Sequence, residues 1–150
     1  MAALPDLRAF VAADVLLAGA VSPTAHPSVA TLLTLSEVKL IDAVTSRLVV
    51  RDVTRALHRA CPAAVPLFSA LADRCVRVVP DPSAKELRVH RGEVDEPDLS
   101  ALVCALTQGC PWLITLQPRH HAPGNLAVTV IRPGRFMNVI RQHLAALSPP

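Results

Sequence analysis

Hydrophobic and polar positions change period along the chain, and each change marks an element. Residues 7–20, LRAFVAADVLLAGA, begin as an apolar run that reaches Asp14 and pass straight into leucines and alanines that favour helix. They predict a buried strand that stops at a carboxylate and turns at once into a helix. Two prolines punctuate residues 22–27, and residues 26–37 carry Val29, Leu32 and Leu33 at helical spacing. Residues 39–44, KLIDAV, are short and apolar enough for a second strand. Ser46 reads as the N-cap of an amphipathic helix running to about residue 60, because Val49, Val53, Ala56, Leu57 and Ala60 recur at intervals of three and four. After Pro62 a further helix, through Leu67, Leu71 and Ala72, leads into a third strand over 76–79 that Pro80 stops.

Residues 81–93, DPSAKELRVHRGE, are the most polar stretch. Leu87 and Val89 alternate with charged residues there, which predicts an extended surface arm or a short ribbon. The next helix starts near Asp95, is apolar nearly all round, and ends at Gly109, placed as a C′ glycine. Residues 112–116 and 127–131 read as the fourth and fifth strands, separated by a loop holding His120 and His121. Pro133 and Gly134 make a turn before a last helix over 136–147. Strands that alternate with helices predict a mostly parallel sheet of four or five strands covered on both faces, a three-layer α/β/α sandwich. The 150 residues suit one domain, 1–150, in which 81–93 is a surface arm or insertion.

Composition narrows the classes. Hydrophobic residues make up 51% of the chain, which excludes disorder, yet no apolar run reaches the roughly 18 residues a membrane span requires. The expectation is a cytoplasmic protein with no membrane partner. Cys61, Cys75, Cys104 and Cys110 show no C-x-x-C spacing and read as buried reduced thiols. The net charge of +3 is unevenly spread, since nothing acidic follows Asp98 while Arg119, Arg132, Arg135 and Arg141 do, which suggests an anionic partner. Phosphate cradles of the G-x-G-x-x-G and G-x-x-x-x-G-K-[ST] kinds are absent, and no Cys, His and Asp/Asn trio announces nucleophilic catalysis.

Candidate chemistry sits in two polar groups. On the helix that Ser46 caps, Arg47, Arg51, Arg55 and Arg59 fall every four residues and form one basic ridge. Like charges at that spacing weaken an isolated helix by roughly 0.2–0.5 kcal/mol per pair, so phosphates or neighbouring carboxylates should compensate. Asp52 lies at the flank of the same helix's apolar stripe, half turned toward the core and within reach of Arg55. The second group is Asp95, Glu96 and Asp98 at a helix start, where Asp95 and Asp98 resemble a capping box and complement the helix dipole. In a parallel sheet, strand-to-helix junctions are where ligands bind. Asp98 brought close to Asp14 would repel it unless a divalent cation neutralised both. His120 and His121 are adjacent in sequence, point apart, and have no supporting carboxylate.

The whole chain resembles a PIN domain, the small α/β/α nuclease fold that includes the ribonuclease toxins of bacterial toxin–antitoxin pairs. The resemblance rests, in order, on FVAADVLLAGA, SRLVVRDVTRAL, DEPDLSALVCAL, WLIT and IRPGRFMNVI. It implies acidic side chains gathered at the strand ends to bind Mg²⁺ or Mn²⁺ for RNA hydrolysis. Asp52 and Asp98 match two of those positions. The leading D-x-N motif is Ala12-Ala13-Asp14 here, and T-x-D is Thr115-Leu116-Gln117, so Ala12 and Gln117 stand where the family has acids. The resemblance thus implies a PIN-like protein with weakened or lost nuclease activity that binds RNA, through Arg47, Arg51, Arg55 and Arg59, or a partner protein. An alternative is an active metal-dependent ribonuclease, a toxin restrained by an antitoxin, with an irregular Asp14, Asp52 and Asp98 site and Gln117 as a neutral oxygen donor. A structural or oligomerising module is the third reading, and a homo-oligomer is expected.

Overall fold

In the computed structural model, which describes residues 7–118, 127–147 and 149, the first apolar run forms strand β1 (Arg8–Val11) and helix α1 (Ala13–Val21). Only Ala12 separates them. The strand therefore ends before Asp14, contrary to expectation, and Asp14 sits in the first turn of α1, where a carboxylate complements the amino end of the helix. Helix α2 (Pro27–Glu37) begins with proline at its first position and ends in a turn that delays strand β2 (Asp42–Ser46) by three residues relative to the sequence reading. Lys39 adopts φ +68° there, its N–H donating to the Ser36 carbonyl while that of Leu40 donates to the Leu35 carbonyl. This is a Schellman closure with lysine in the glycine position.

Ser46 ends β2 and caps helix α3 (Arg47–Ala60), its Oγ accepting from the Val49 N–H at 3.2 Å, as the sequence predicts. A 3₁₀ turn (Pro62–Ala64) leads to helix α4 (Val65–Cys75) and strand β3 (Arg77–Val79). The polar stretch after it is neither an extended arm nor a ribbon: it forms helix α5 (Ala84–His90). Ser83 and Glu86 make a reciprocal capping box, with N–H to side-chain distances of 3.1 and 3.3 Å. The alternation of Leu87 and Val89 had no buried face behind it, since Val89 is 72% exposed. Helix α6 (Glu96–Thr107), strands β4 (Trp112–Ile114) and β5 (Thr129–Ile131), and helix α7 (Pro133–Ala146) follow. Gly109 takes φ +66° just past α6, as its C′ assignment requires. His120 and His121, with Arg119, lie outside the described residues.

All four strand pairings are parallel, in the order β3-β2-β1-β4-β5. The chain moves from β1 to β2 to β3 in one direction, then reverses past β1 to β4. Right-handed crossovers put α5 and α6 on the opposite face from α1 to α4. The packing agrees: α1 to α4 contact one another and α2 meets α7, while α5 packs on α6 and α6 lies against β1, β2 and β4. The core between the layers includes Phe10, Leu16, Leu32, Leu57, Leu102, Leu113 and Phe136, each essentially inaccessible to solvent. At the amino edge of the sheet Asp42 ties three strands together, accepting from Arg8 of β1 and Arg77 of β3 at 2.9 Å each. That leaves the carboxyl edge as the place where polar side chains gather.

Candidate active-site cleft

The reversal of strand order between β1 and β4 opens a crevice at the carboxyl ends of those strands, the usual ligand position in an open parallel sheet. A cleft of about 220 Å³ lies there, and its walls include Asp14, Asp52 and Asp98 together with Ala12 and Ser46. The three acids singled out from sequence thus line one concavity, delivered by the first turn of α1, the second turn of α3 and the first turn of α6. Each helix start faces the same edge because each runs antiparallel to the strands it covers.

Asp14 reaches across the crevice. Its Oδ2 accepts from the Thr115 hydroxyl at 2.7 Å and from the Leu116 N–H at 2.9 Å, both just beyond β4. The Thr115 hydroxyl in turn accepts from the Gln117 N–H at 3.2 Å. The other oxygen, Oδ1, is buried and has no hydrogen-bond partner. Ala12 supports the same junction from the backbone, its N–H donating to the Ile114 carbonyl at 3.0 Å. Asp14 therefore ties the first turn of α1 to the exit of β4.

The other two acids sit at different depths. Asp52 is exposed rather than half turned to the core, and among the described residues no ion pair joins it to Arg55. Asp98 is half-buried, its N–H donating to the Asp95 carbonyl at 2.9 Å. Asp95 is the N-cap residue but its side chain makes no cap, so the expected Asp95–Asp98 box does not form; Pro97 fixes the first turn instead. Gln117 is exposed and its side chain does not line the cleft, so it supplies no neutral donor there.

This donor set does not fit a resident divalent cation of the multi-carboxylate kind. Ala12 contributes a methyl group to the wall, and Asp14 already commits one oxygen to two donors. Among the described residues no three His, Cys, Asp or Glu side chains form a set that could hold a metal ion. Mg²⁺ keeps several of its waters but still needs free carboxylates that converge on one point, and the described side chains here form no such set.

Sequence reasoning missed the hydroxyls. Thr115 is fully buried, and Thr45, equally buried, donates from Oγ1 to the Val11 carbonyl at 2.9 Å. The available signal was a polar residue at the end of an otherwise apolar strand, since a buried hydroxyl must find a partner. Along α3, Arg47, Arg51, Arg55 and Arg59 are all exposed, and among the described residues none makes an ion pair, whereas Arg8, Arg74, Arg77 and Arg91 do. Of the cysteines, Cys61 is exposed, against expectation, because it follows the end of α3. Burial pushes the thiols of Cys104 and Cys110 up to about 11 and about 12, so neither is a thiolate nucleophile.

Comparison with solved structures gives the class of fold. PAE2754 from Pyrobaculum aerophilum aligns over 91% of this chain and 97% of its own, with a TM-score of 0.63 at 15% identity. VapBC2 from Rickettsia felis, solved bound to a DNA fragment from its promoter, aligns over 83% of this chain and 98% of that chain, with a TM-score of 0.60 at 12% identity. VapC20 of Mycobacterium tuberculosis, described as a Sarcin-Ricin loop cleaving toxin, aligns over 70% of this chain and 86% of that chain, with a TM-score of 0.50 at 20% identity. No sequence model of a protein family matches the chain, and no curated protein matches it by sequence. The chain has the PIN-domain fold, the three-layer α/β arrangement these structures share. No helix among the described residues is long and apolar enough to cross a membrane.

Proposed function

We propose that this chain is a PIN-fold relative of metal-dependent ribonucleases that has weakened or lost nuclease activity and retains binding of single-stranded RNA along the arginine ridge of α3. The observation that carries the reading is the wall of the cleft, where Ala12, at the position the resemblance gives to a carboxylate, offers no oxygen and Asp14 is tied to Thr115. The ridge supports the RNA part: four exposed arginines in one row repel one another, and phosphates relieve that repulsion. Fluorescence anisotropy with a short single-stranded RNA tests it. Binding should weaken as salt rises, and Arg51→Ala with Arg55→Ala should weaken it further and lower the salt slope by about two. Absence of binding at low salt overturns the reading.

One observation favours a second reading, an active ribonuclease built on Asp14, Asp52 and Asp98 with Mg²⁺ or Mn²⁺. Its only support is the buried, unpartnered Asp14 Oδ1, and against it stands a cleft whose described side chains form no metal-holding set. In that case Mn²⁺-dependent cleavage of single-stranded RNA should be measurable and Asp98→Asn should abolish it. A protein partner of antitoxin type fits either reading. The Rickettsia felis neighbour is a toxin–antitoxin pair, and here an apolar groove of about 520 Å³ runs between α1 and α3 beside the cleft.

A further inference from the structure

The carboxyl edge of the sheet carries a second cavity, of about 220 Å³, between the starts of α2 and α7. His26, Ser28, Arg132, Gly134 and Leu116 line it, and among the described residues that do so none is acidic. His26 and Arg132 are the N-cap residues of the two helices, and neither side chain makes a cap. Arg132 is exposed, and among the described residues it makes no ion pair. Arg132, His26 and Ser28 thus line one cavity, and Arg132 also lines the neighbouring concavity together with Arg135. The N–H groups of Ser28 and Gly134, too near their helix starts for an intrahelical carbonyl, add to them. Each helix start also carries about half a positive charge, so the assembly repels itself until an anion enters.

The cavity is not isolated. Leu116 also lines the apolar groove between α1 and α3, and Asp14 lines both that groove and the acidic cleft. The cationic pocket, the apolar groove and the acidic cleft are therefore neighbours along this edge of the sheet. Phosphate beside an apolar face is the composition of a nucleotide, whose base stacks on apolar side chains while its phosphate seeks cations.

We propose that the His26–Arg132 cavity binds one phosphate group of an RNA strand lying across these neighbouring concavities. The proposal rests on the RNA-binding reading above and adds a site remote from the arginines of α3. Gly134 belongs to the geometry: a methyl group there would stand 3.5 Å from Ser28 Oγ and narrow the cavity without altering its charge.

The test uses the full chain, Arg132→Ala and Gly134→Ala, with inorganic phosphate and a short oligouridylate as separate probes. Arg132 is exposed and Gly134 has no left-handed backbone, so both variants should fold, which far-ultraviolet circular dichroism checks. Phosphate should raise the melting temperature of the wild type, and both variants should show a smaller rise. Arg132→Ala should also weaken the oligouridylate several-fold and lower its salt slope by about one. Oligouridylate binding that is the same in wild type and Arg132→Ala overturns the proposal while leaving the ridge on α3 intact. A phosphate response that depends on Arg132 without any effect on the oligouridylate shows a free-anion site only, and overturns the RNA assignment. Loss of all RNA binding in the wild type defeats the reading on which the proposal rests.

Discussion

The carboxylate of Asp14 has two donors from the segment leaving β4, and one of them, the Thr115 hydroxyl, is fully buried. Thr115→Val removes that hydroxyl while keeping its shape, leaving a part-buried carboxylate oxygen with one donor fewer. The change should cost about 1–3 kcal/mol, read as a lower urea midpoint. An unchanged midpoint would mean that Asp14 does not hold the two segments together. At the other edge of the sheet, burial acts to raise the Asp42 carboxyl, but hydrogen bonds and charge from Arg77 and Arg8 outweigh it and hold the group below the usual 3.8. A carboxyl depressed in the folded state adds stability that is complete above its unfolded value and is lost as pH falls through its folded value. Asp42→Asn should therefore unfold at nearly the wild-type temperature once both forms are at acid pH below that window, and well below it at neutral pH. Salt should shrink the difference, since both arginines are about half exposed. Neither tie could be read from sequence: Thr115 and Asp14 lie 101 positions apart, and Arg8 and Asp42 lie 34 apart.

Helix ends show where local chemistry was sufficient and where it was not. Gly109 after α6 and Lys39 after α2 occupy equivalent positions, each in the left-handed region with the two hydrogen bonds of a Schellman turn. Glycine adopts that conformation without strain and lysine does not, so Lys39→Gly should stabilise the protein by about 0.5–1 kcal/mol and Gly109→Ala should destabilise it by a similar amount. Opposite shifts in melting temperature would confirm the pair; shifts of the same sign would refute it. The glycine was legible because its residue type announces the turn. The lysine was not, and its turn displaced the start of β2. Helix α5 replaces the expected arm or ribbon for a related reason: Ser83 and Glu86 carry a capping signature, whereas the alternation of Leu87 and Val89 has no buried face behind it. By contrast α3 was read to its last residue, because Ser46 caps it and Val49, Val53 and Leu57 repeat along one buried stripe.

At the scale of the molecule, the parallel sheet brings the starts of α1, α3 and α6 to one edge, and the side chain at position 12 decides what that edge can bind. Ala12→Asp would place a carboxylate in the wall beside Asp14, Asp52 and Asp98. Like charges in one cleft raise the cost of folding unless a cation joins them. The variant should therefore acquire a Mn²⁺-dependent rise in melting temperature larger than that of the wild type. An equal response in both would show that Ala12 does not limit metal binding. Sequence by itself determined the elements whose cause is local: the period of the apolar residues, the Ser46 cap, the glycine after α6, and the alternation of strands and helices that requires a parallel sheet. It also determined that Ala12 has no oxygen to offer. Tertiary structure alone decided that Asp14, Asp52 and Asp98 share a cleft, that Asp14 is tied to Thr115, and that His26 and Arg132 line one cavity. Those meetings depend on strand order and on hydrogen bonds between distant segments, and neither leaves a periodic trace along the chain.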